Sequence, residues 1–251
     1  MRLQSAIFDM DGTLLDSMFI WDDLGVGLLR RKGIQTAPDL PEKLKVMTLR
    51  QGAAYCKAEY GLAESVDDIV AECEAQVEDF YRNRVEAKPG VKKFLSLLKM
   101  EGVWMYVATA TDRHLAEAAL RHAGIDGYFR GMLTCSEVGQ GKESPEIYER
   151  AMRRLRSTKR DTVVFEDALH AIQTAKAAGF RVCGVYDPFA EAEQAEILRA
   201  IGGHRAAETA ADGGLPGLLY RADKASRTCW HCAAEGACNW APEKKNNTLK
   251  G

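Results

Sequence analysis

Two pairs of carboxylates stand far apart in this sequence, and each pair lies at the end of an apolar run. Asp9 and Asp11 follow the first run directly, and Glu166 and Asp167 close the second. Carboxylates that converge without partners repel one another and resist ionisation. A hard divalent cation removes that repulsion, and Mg²⁺ is the usual choice where a few carboxylates act on a phosphate. A fold that joins the two pairs would therefore create a Mg²⁺ site.

A hydroxyl and an ammonium group complete this set. Thr109 ends a third apolar run, and Lys142 stands just before a helix-start signal at Ser144 and Pro145. Both groups suit the non-bridging oxygens of a phosphoryl group. Of two neighbouring aspartates, one can act as a covalent nucleophile and the other as a general acid–base. The alternative is purely structural: acids at helix N-termini, a strand-end hydroxyl and a surface lysine.

Hydrophobic periodicity predicts the scaffold that positions these residues. A first strand covers the apolar run before Asp9, and strands and helices alternate after residue 87. The predicted strands are 103–109, 131–135, 162–166 and 181–186, and the predicted helices are 112–122, one from 145, and 168–178. This alternation predicts an α/β fold, a parallel sheet covered by helices on both faces. Ligands bind at the carboxyl ends of the strands in such sheets, where the four carboxylates and Thr109 stand.

Residues 17–86 form a separate block in this prediction. Their apolar residues keep a helical period, and we predict helices over 43–59 and 66–81 with no strands in the block. No closing strand and helix are recognised after residue 190. The chain is therefore expected to divide into a catalytic core of residues 1–16 and 87–205, an all-helical cap of residues 17–86, and a poorly structured tail of residues 206–251.

The motif residues resemble those of a known family. The segment DMDGT at residues 9–13, with Thr109, Lys142 and the pair Glu166-Asp167, resembles the four motifs of the haloacid dehalogenase-like hydrolase superfamily. The helical block resembles the cap that this superfamily inserts between its first and second motifs. Within it, the chain is most similar to the β-phosphoglucomutase and phosphoglycolate phosphatase subgroup. The resemblance covers residues 1 to about 190 and implies a Rossmann-like catalytic core.

The resemblance also implies a role for each motif residue. Asp9 would be the nucleophile that forms an aspartyl phosphate, and Asp11 would be the general acid–base. The residues that would bind the phosphoryl oxygens are Thr109, Ala110 and Lys142. The residues that would hold Mg²⁺ are Asp9, Asp167, Glu166 and, through its backbone carbonyl, Asp11. Glu166 would either bind the ion directly or lie beside it.

The cap would select the substrate. Mutases of this subgroup carry a histidine early in the first cap helix, where this chain has Trp21. They also carry a cap arginine that grips a second phosphate, where this chain has Leu49 followed by Arg50. The residues expected to contact the leaving group are Trp21, Lys45, Arg50 and Arg113. We therefore predict a phosphatase for a small phosphorylated metabolite, a sugar phosphate. A phosphosugar mutase is the alternative, and a non-catalytic sensor of a phosphorylated ligand is a third, less favoured one.

Composition and charge exclude other classes. The 251 residues include 34 basic and 36 acidic side chains, so the formal net charge is -2 and no basic surface for nucleic acid is expected. An apolar content of 46% excludes a disordered chain. No run approaches the roughly 18 apolar residues of a membrane span, and the first residues lack the features of a signal peptide. We expect a cytoplasmic monomer whose partner is a small metabolite.

The seven cysteines fall into two groups. Four stand singly among apolar residues, which is typical of reduced, packed thiols. The other three, Cys229, Cys232 and Cys238, lie close together in the tail around His231. A structural zinc site normally needs four ligands, with a second pair at a distance from the first. The chain has no such second pair, so we expect no zinc site in the tail.

Overall fold

The computed structural model describes residues 3–45, 47, 49–201 and 219–220. The strands are β1 (Ser5–Phe8), β2 (Leu15–Asp16), β3 (Glu86–Ala87), β4 (Trp104–Thr109), β5 (Met132–Thr134), β6 (Thr162–Glu166), β7 (Arg181–Val185) and β8 (Leu219–Tyr220). The α-helices are α1 (Phe19–Arg31), α2 (Leu40–Lys45), α3 (Leu49–Tyr60), α4 (Val66–Asn83), α5 (Val91–Met100), α6 (Arg113–His122), α7 (Cys135–Val138), α8 (Glu146–Arg154), α9 (Leu169–Ala177) and α10 (Gln194–Ile201). Short 3₁₀ helices cover Asp126–Tyr128, Lys159–Asp161 and Pro188–Glu193.

Six strands form the main sheet, in the order β5-β4-β1-β6-β7-β8. β1 lies in the middle, parallel to β4 on one side and to β6 on the other. The pairs β4–β5 and β6–β7 are also parallel, and β8 runs antiparallel to β7. Every residue of β1 and β6 is buried, which explains why these strands are continuous apolar runs without alternation. The predicted fold class, a parallel α/β sheet with an inserted helical segment, is confirmed.

The register aligns the ends of the three central strands. Phe8 of β1 lies beside Val107 of β4 and Phe165 of β6. The rings of Phe8 and Phe165 stack with centroids 4.5 Å apart, so aromatic packing fixes the two strand ends against each other. The residues that follow the three strands, Asp9, Ala110 and Asp167, therefore leave the sheet at one edge, as expected for a ligand site in this type of fold.

The segment between β2 and β3 is predominantly helical and contains α1 to α4. Helix α4 begins at a capping box in which Ser65 Oγ accepts a hydrogen bond from the Asp68 backbone N–H at 3.1 Å, and the Asp68 side chain accepts from the Ser65 N–H. Its inward face is buried and includes Ile69, Cys73 and Val77. This is the apolar face that the helical period predicts.

Two predictions for this segment are wrong. In place of one helix over 43–59, the structure has α2 ending at Lys45 and α3 beginning at Leu49. α2 starts early because Pro41 fits the first turn of a helix, and two of the three residues between the helices are β-branched, which lowers helix propensity. The segment is also not free of strands, since Glu86 belongs to β3, which pairs with β2. A two-residue strand is too short to leave an alternating pattern.

The prediction for the chain after residue 190 is also wrong. No closing helix or strand is recognised there from sequence, but the structure contains α10 and β8. Ile197 and Ile201 of α10 are fully buried. The rest of the predicted tail, including Cys229, Cys232 and Cys238, lies outside the described residues, and the three-part division of the chain stays a prediction. None of the described helices has the length and apolar character that a membrane crossing requires.

Candidate active site

Three carboxylates lie together at the carboxyl edge of the sheet. Oxygens of Asp9, Glu166 and Asp167 lie within 4.8 Å of one another, and we call these residues the acidic cluster. All three side chains are buried, and Glu166 is completely inaccessible. Their proximity follows from the pairing of β1 with β6, which continues as the Asp9 N–H donates to the Phe165 carbonyl at 2.9 Å. The fold thus joins one member of the first carboxylate pair to both members of the second.

Lys142 reaches the acidic cluster from the loop before α8. Its Nζ donates to Asp9 and to Glu166, the second bond being 2.5 Å long. The lysine is only 8% exposed. Burial acts to lower the pKa of Lys142, but the negative charges of Asp9 and Glu166 outweigh burial and raise the pKa above its ordinary value. Lys142 therefore stays charged at neutral pH within the cluster.

The acidic cluster holds more negative charge than Lys142 offsets. Burial raises the pKa of Asp9 well above its ordinary value; Lys142 opposes this shift, and the charges of Glu166 and Asp167 add to it. Burial, together with the charge of Glu166, raises the pKa of Asp167 to about 7. Three carboxylates face one ammonium group, so the donor set fits a hard divalent cation that prefers oxygen ligands.

Gly12 and Thr13 shape the loop after β1. Gly12 has φ of +74°, and a Cβ atom at this position would lie 2.4 Å from Asp167 Oδ2. Any side chain here would therefore displace a member of the acidic cluster. Thr13 Oγ1 donates to Asp167 Oδ1 at 3.0 Å and orients that carboxylate. Because β1 ends at Phe8, this loop does not continue the strand.

Asp11 lies outside the acidic cluster and has different partners. Its Oδ1 accepts hydrogen bonds from Ser17 Oγ at 2.7 Å and from Tyr81 Oη at 2.6 Å. Its Oδ2 accepts from Thr111 Oγ1 at 2.6 Å. The three donors come from the β2–α1 connection, cap helix α4 and the loop after β4. Burial and the charge of Asp11 raise the pKa of Tyr81, so Tyr81 remains a neutral donor.

Thr109 and Ala110 stand where β4 ends, one strand away from Asp9. Thr109 is buried and Ala110 is exposed. Thr109 Oγ1 accepts a hydrogen bond from the Thr111 backbone N–H at 3.0 Å. A hydroxyl that accepts in this way still has a hydrogen to donate. The structure thus places both predicted phosphate-binding residues of β4 at the same edge of the sheet as the acidic cluster.

Lys88 is a partly buried connection that the sequence prediction misses. Its Nζ donates to the Gly12 carbonyl at 2.6 Å, to the Tyr186 carbonyl at 2.7 Å and to Asp187 Oδ2 at 2.8 Å. These bonds tie the loop after β1 to the loop after β7. The sequence offers one signal, because this lysine stands before the Pro-Gly pair where the cap segment ends. That position does not predict which groups the lysine contacts.

Two tyrosines are also missed as members of the site. Tyr81 is predicted only as part of the apolar face of a cap helix, yet its hydroxyl reaches Asp11. Tyr148 of α8 donates to Glu166 Oε1 at 2.8 Å. A buried tyrosine usually finds a hydrogen-bond partner for its hydroxyl. That rule could have marked both residues as candidates for a contact with a carboxylate, although it does not say which one.

Trp21 and Lys45 lie in the cap. Trp21 is 44% exposed and lines an apolar cavity of about 230 Å³ that also includes Phe189 from the core. Lys45 is the last residue of α2, and its side chain lies outside the described part of the structure. The cavity connects one predicted specificity residue with the core loop that follows β7.

The two arginines predicted to contact substrate are paired elsewhere. Arg50 Nη1 donates to Asp67 Oδ1 at 2.6 Å, and both side chains are well exposed. Arg113 Nη2 donates to Glu137 Oε2 at 2.9 Å and to the Met132 carbonyl at 3.1 Å. Neither arginine donates to the acidic cluster in these contacts. Their roles as specificity residues stay predictions.

Comparisons with known proteins identify the family. Residues 3–179 match the model of the haloacid dehalogenase-like hydrolase family. A phosphorylated carbohydrates phosphatase from Thermotoga maritima is 27% identical over 184 residues, which cover 73% of this chain and 85% of the relative. A validoxylamine A 7'-phosphate phosphatase from Streptomyces hygroscopicus subsp. limoneus is 29% identical over 197 residues, covering 77% and 92%. A solved structure of a β-phosphoglucomutase-like protein from Thermotoga maritima has a TM-score of 0.64 at 27% identity, covering 71% and 83%.

These matches confirm the family resemblance, and with it the Rossmann-like core bearing a helical cap. The phosphatase names of the relatives confirm the prediction of an enzyme of the phosphoric monoester hydrolase class. The motif residues, the sheet order and the matched family model all lead to one conclusion: this chain belongs to the haloacid dehalogenase-like hydrolase family.

Proposed function

We propose that this protein is a Mg²⁺-dependent phosphatase that hydrolyses a small phosphomonoester through an aspartyl-phosphate intermediate. The acidic cluster with its buried lysine carries this proposal, because a donor set for a divalent cation and a cation for a phosphoryl group both lie against Asp9. The residues that would hold Mg²⁺ are Asp9, Asp167, Glu166 and the backbone carbonyl of Asp11. Bound there, Mg²⁺ supplies positive charge that offsets the repulsion between a carboxylate and a phosphate.

In the first half-reaction, a carboxylate oxygen of Asp9 attacks phosphorus and the bond from phosphorus to the leaving oxygen breaks. Asp11 gives its proton to that oxygen. Lys142 and Thr109 bind the phosphoryl oxygens and keep the phosphorus in line with the attacking carboxylate. Lys142 is suited to this because its ammonium group already lies against Asp9.

In the second half-reaction, Asp11 is a carboxylate and takes a proton from a water molecule. The water oxygen attacks the phosphorus of the aspartyl phosphate, and the bond from phosphorus to Asp9 breaks. Inorganic phosphate leaves, Asp9 is again a carboxylate, and Asp11 again carries a proton. The cap limits the access of bulk water to the intermediate.

The leaving group is expected to be a small metabolite of the sugar class, in keeping with the carbohydrate and validoxylamine phosphates named for two relatives. A phosphosugar mutase is the alternative. A mutase must also grip a second phosphate, whereas Arg50 is paired with Asp67 and Arg113 with Glu137. These pairings favour hydrolysis. The cytoplasmic location and the monomeric state stay predictions.

Phosphate release from a panel of phosphomonoesters tests the proposal. The panel should include hexose phosphates, glycerol phosphate, phosphoglycolate and nucleotides, each with Mg²⁺ and after removal of Mg²⁺ by EDTA. We expect release that EDTA abolishes and added Mg²⁺ restores. A requirement for a bisphosphate primer with little free phosphate would favour the mutase. No release from any ester would contradict both enzymes and leave the non-catalytic sensor.

A further inference from the structure

The cap contains an apolar cavity of about 230 Å³ that the proposed chemistry does not use. Its walls come from helices α1, α2, α3 and α4, and include Leu24, Leu44, Ala53 and Cys56, while the core contributes Phe189. None of the described side chains that line it carries a charge. Protein interiors are normally packed with few voids larger than a water molecule. A cavity of this size therefore costs stability unless something fills it.

The cavity is large enough for a ligand of defined size. An engineered apolar cavity of about 150 Å³ in another protein stays dry and binds benzene. The cavity here is larger, so it can hold a six-carbon chain or a substituted aromatic ring. Two glycines contribute to its walls, and a Cβ atom would lie 2.3 Å from Leu44 Cδ1 at Gly25 and 3.3 Å from Leu44 Cδ2 at Gly52. Side chains at either position would thus press Leu44 into the remaining space.

The core wall of the cavity is tied to the loop that carries the motif aspartates. The Phe189 backbone N–H donates to Asp187 Oδ1 at 2.9 Å. The other oxygen of Asp187 accepts from Lys88, whose Nζ also donates to the Gly12 carbonyl. Gly12 directly follows Asp11. Phe189 therefore stands at the same edge of the sheet as the acidic cluster.

The cap wall begins equally close to that loop. Trp21 lies four residues after Ser17, and its N–H donates to the Met18 carbonyl at 3.2 Å in the first turn of α1. Ser17 Oγ in turn donates to Asp11. Only three residues, Met18 to Ile20, separate the residue that contacts Asp11 from the first residue that lines the cavity. Both walls of the cavity start beside the loop in which the leaving oxygen must be protonated.

We propose that this cavity receives an apolar part of the leaving group, so that the preferred substrates are monophosphates of alcohols with a hydrocarbon or aromatic portion. This inference rests on the proposed phosphatase function, and it replaces the sugar expected above as the leaving group with a more apolar alcohol. The phosphate end meets Lys142 and the acidic cluster, whereas the far end meets only apolar side chains. A second phosphate or a fully hydroxylated sugar ring would lose water there without gaining partners.

A series of n-alkyl phosphates from methyl to hexyl tests the inference, with glucose 6-phosphate as the polar reference. kcat/KM is measured from phosphate release in the presence of Mg²⁺. Each methylene that enters the cavity should raise kcat/KM by about fourfold, and the rise should stop when the cavity is full. Hexyl phosphate should therefore be the better substrate than glucose 6-phosphate.

A pair of variants on one helix locates the effect. Ala53 is buried and lines the cavity, whereas Ala54 beside it on α3 is exposed. Ala53→Leu should reduce the ratio of kcat/KM for hexyl phosphate to that for methyl phosphate by at least about tenfold, because the added side chain occupies the space of several methylenes. Ala54→Leu should leave the ratio unchanged. If Ala53→Leu does not fold, the alkyl phosphate series with the wild-type protein still tests the inference.

Each of the following results would overturn the inference. Equal kcat/KM for methyl and hexyl phosphate, or a preference for glucose 6-phosphate, would contradict the proposal of an apolar leaving group. Neither result would contradict the proposed phosphatase function. No phosphate release from any ester would overturn the proposed function and this inference with it. A ratio that falls equally in Ala53→Leu and Ala54→Leu would assign the preference to another surface.

Discussion

Asp9 and Asp11 are two residues apart in the chain but lie in regions of opposite character. Asp9 is buried against the Lys142 ammonium group and two further carboxylates. Asp11 is partly exposed, and its carboxylate accepts hydrogen bonds of 2.6 to 2.7 Å from three neutral hydroxyls. One aspartate is thus surrounded by full charges and the other by dipoles that can rotate.

The difference supports different tasks for the two residues. A nucleophile must stay ionised and aimed at phosphorus, which a fixed ammonium group and a bound cation favour. A general acid–base must gain and lose a proton, and hydroxyl donors permit this without the loss of an ion pair. Two carboxylates in unlike surroundings are the usual sign of divided roles. Their spacing in the sequence does not tell which aspartate takes which role.

Asp9→Asn should have the largest effect, because it removes the proposed nucleophile. Phosphate release should fall by at least about 10⁴-fold. The Tm of the metal-free protein should rise, since one of three mutually repelling carboxylates is neutralised. Kinetic assays and calorimetry measure the two effects. Asp126→Asn, in an exposed 3₁₀ turn, is the matched control. Turnover within tenfold of the wild type would contradict the role given to Asp9.

Asp11→Asn should be less severe and should stop the reaction at a different stage. We expect turnover to fall by about 10² to 10⁴-fold. With p-nitrophenyl phosphate, whose leaving group needs no proton, the first half-reaction should survive and the second should stall. Rapid-mixing kinetics should then show a burst of one nitrophenolate per enzyme. If Asp11→Asn shows no burst and loses as much turnover as Asp9→Asn, the two aspartates do not have the separate roles proposed for them.

The affinity for Mg²⁺ should depend on pH through the carboxylates of the acidic cluster and not through Asp11. Burial and the charge of Glu166 hold the pKa of Asp167 at about 7, so a cation must displace a proton below that pH. The apparent Mg²⁺ affinity should fall by at least about tenfold per pH unit below 7, because the pKa of Asp9 is raised as well. Calorimetric titration from about pH 5.5 to about pH 8 measures the slope. An affinity that is flat over this range would contradict the expectation.

The metal-free protein gives the matching control. A carboxyl group with a raised pKa in the folded state binds more protons folded than unfolded. It therefore lowers the free energy of unfolding as the pH rises from about 4 to about 7. Asp167→Asn should remove this part of the pH dependence, which urea unfolding at several pH values can detect. If the pH dependence of the free energy of unfolding is unchanged in Asp167→Asn, the group with the raised pKa is not Asp167.

Tyr81→Phe should have the smallest effect. It tests the hydroxyl groups that donate to Asp11. Loss of one hydrogen bond to Asp11 should lower kcat by about 3- to 10-fold and leave KM nearly unchanged, because the bond orients the proposed acid–base and does not hold substrate. Tyr128→Phe removes a similar bond to Ser96, 2.7 Å long, away from the site. Equal losses in the two variants would show that the Tyr81 effect is structural.

The charged members of the site could be predicted because the sheet topology itself gathers them. Asp9 and Glu166 end neighbouring parallel strands, and Thr109 ends the strand on the other side of β1. An apolar run that ends in a polar residue is visible in sequence, and parallel strands bring such ends to one edge. The fold class and the candidate cluster therefore follow from local patterns and one general rule.

The hydroxyl contacts could not be predicted, because periodicity reports burial and not the direction of a polar atom. Tyr81 has the spacing of a core residue on α4 and is fully buried, which is all that the pattern states. Lys88 makes contacts across 76 and 99 residues of sequence, and a long flexible side chain has many possible acceptors at such distances. The short strands β2, β3 and β8 leave no period to detect.

The central place of β1 constrains how the chain can fold during synthesis. The Ser5 and Thr162 hydroxyls are bonded across 157 residues, so β1 is made long before its second neighbour exists. The cap segment emerges whole in the interval, and its helices can form from local contacts. Pairing between distant strands is slow and leaves edges open to aggregation. The acidic cluster therefore cannot assemble until Glu166 and Asp167 have been made, and a nascent chain that stalls before them carries no active site.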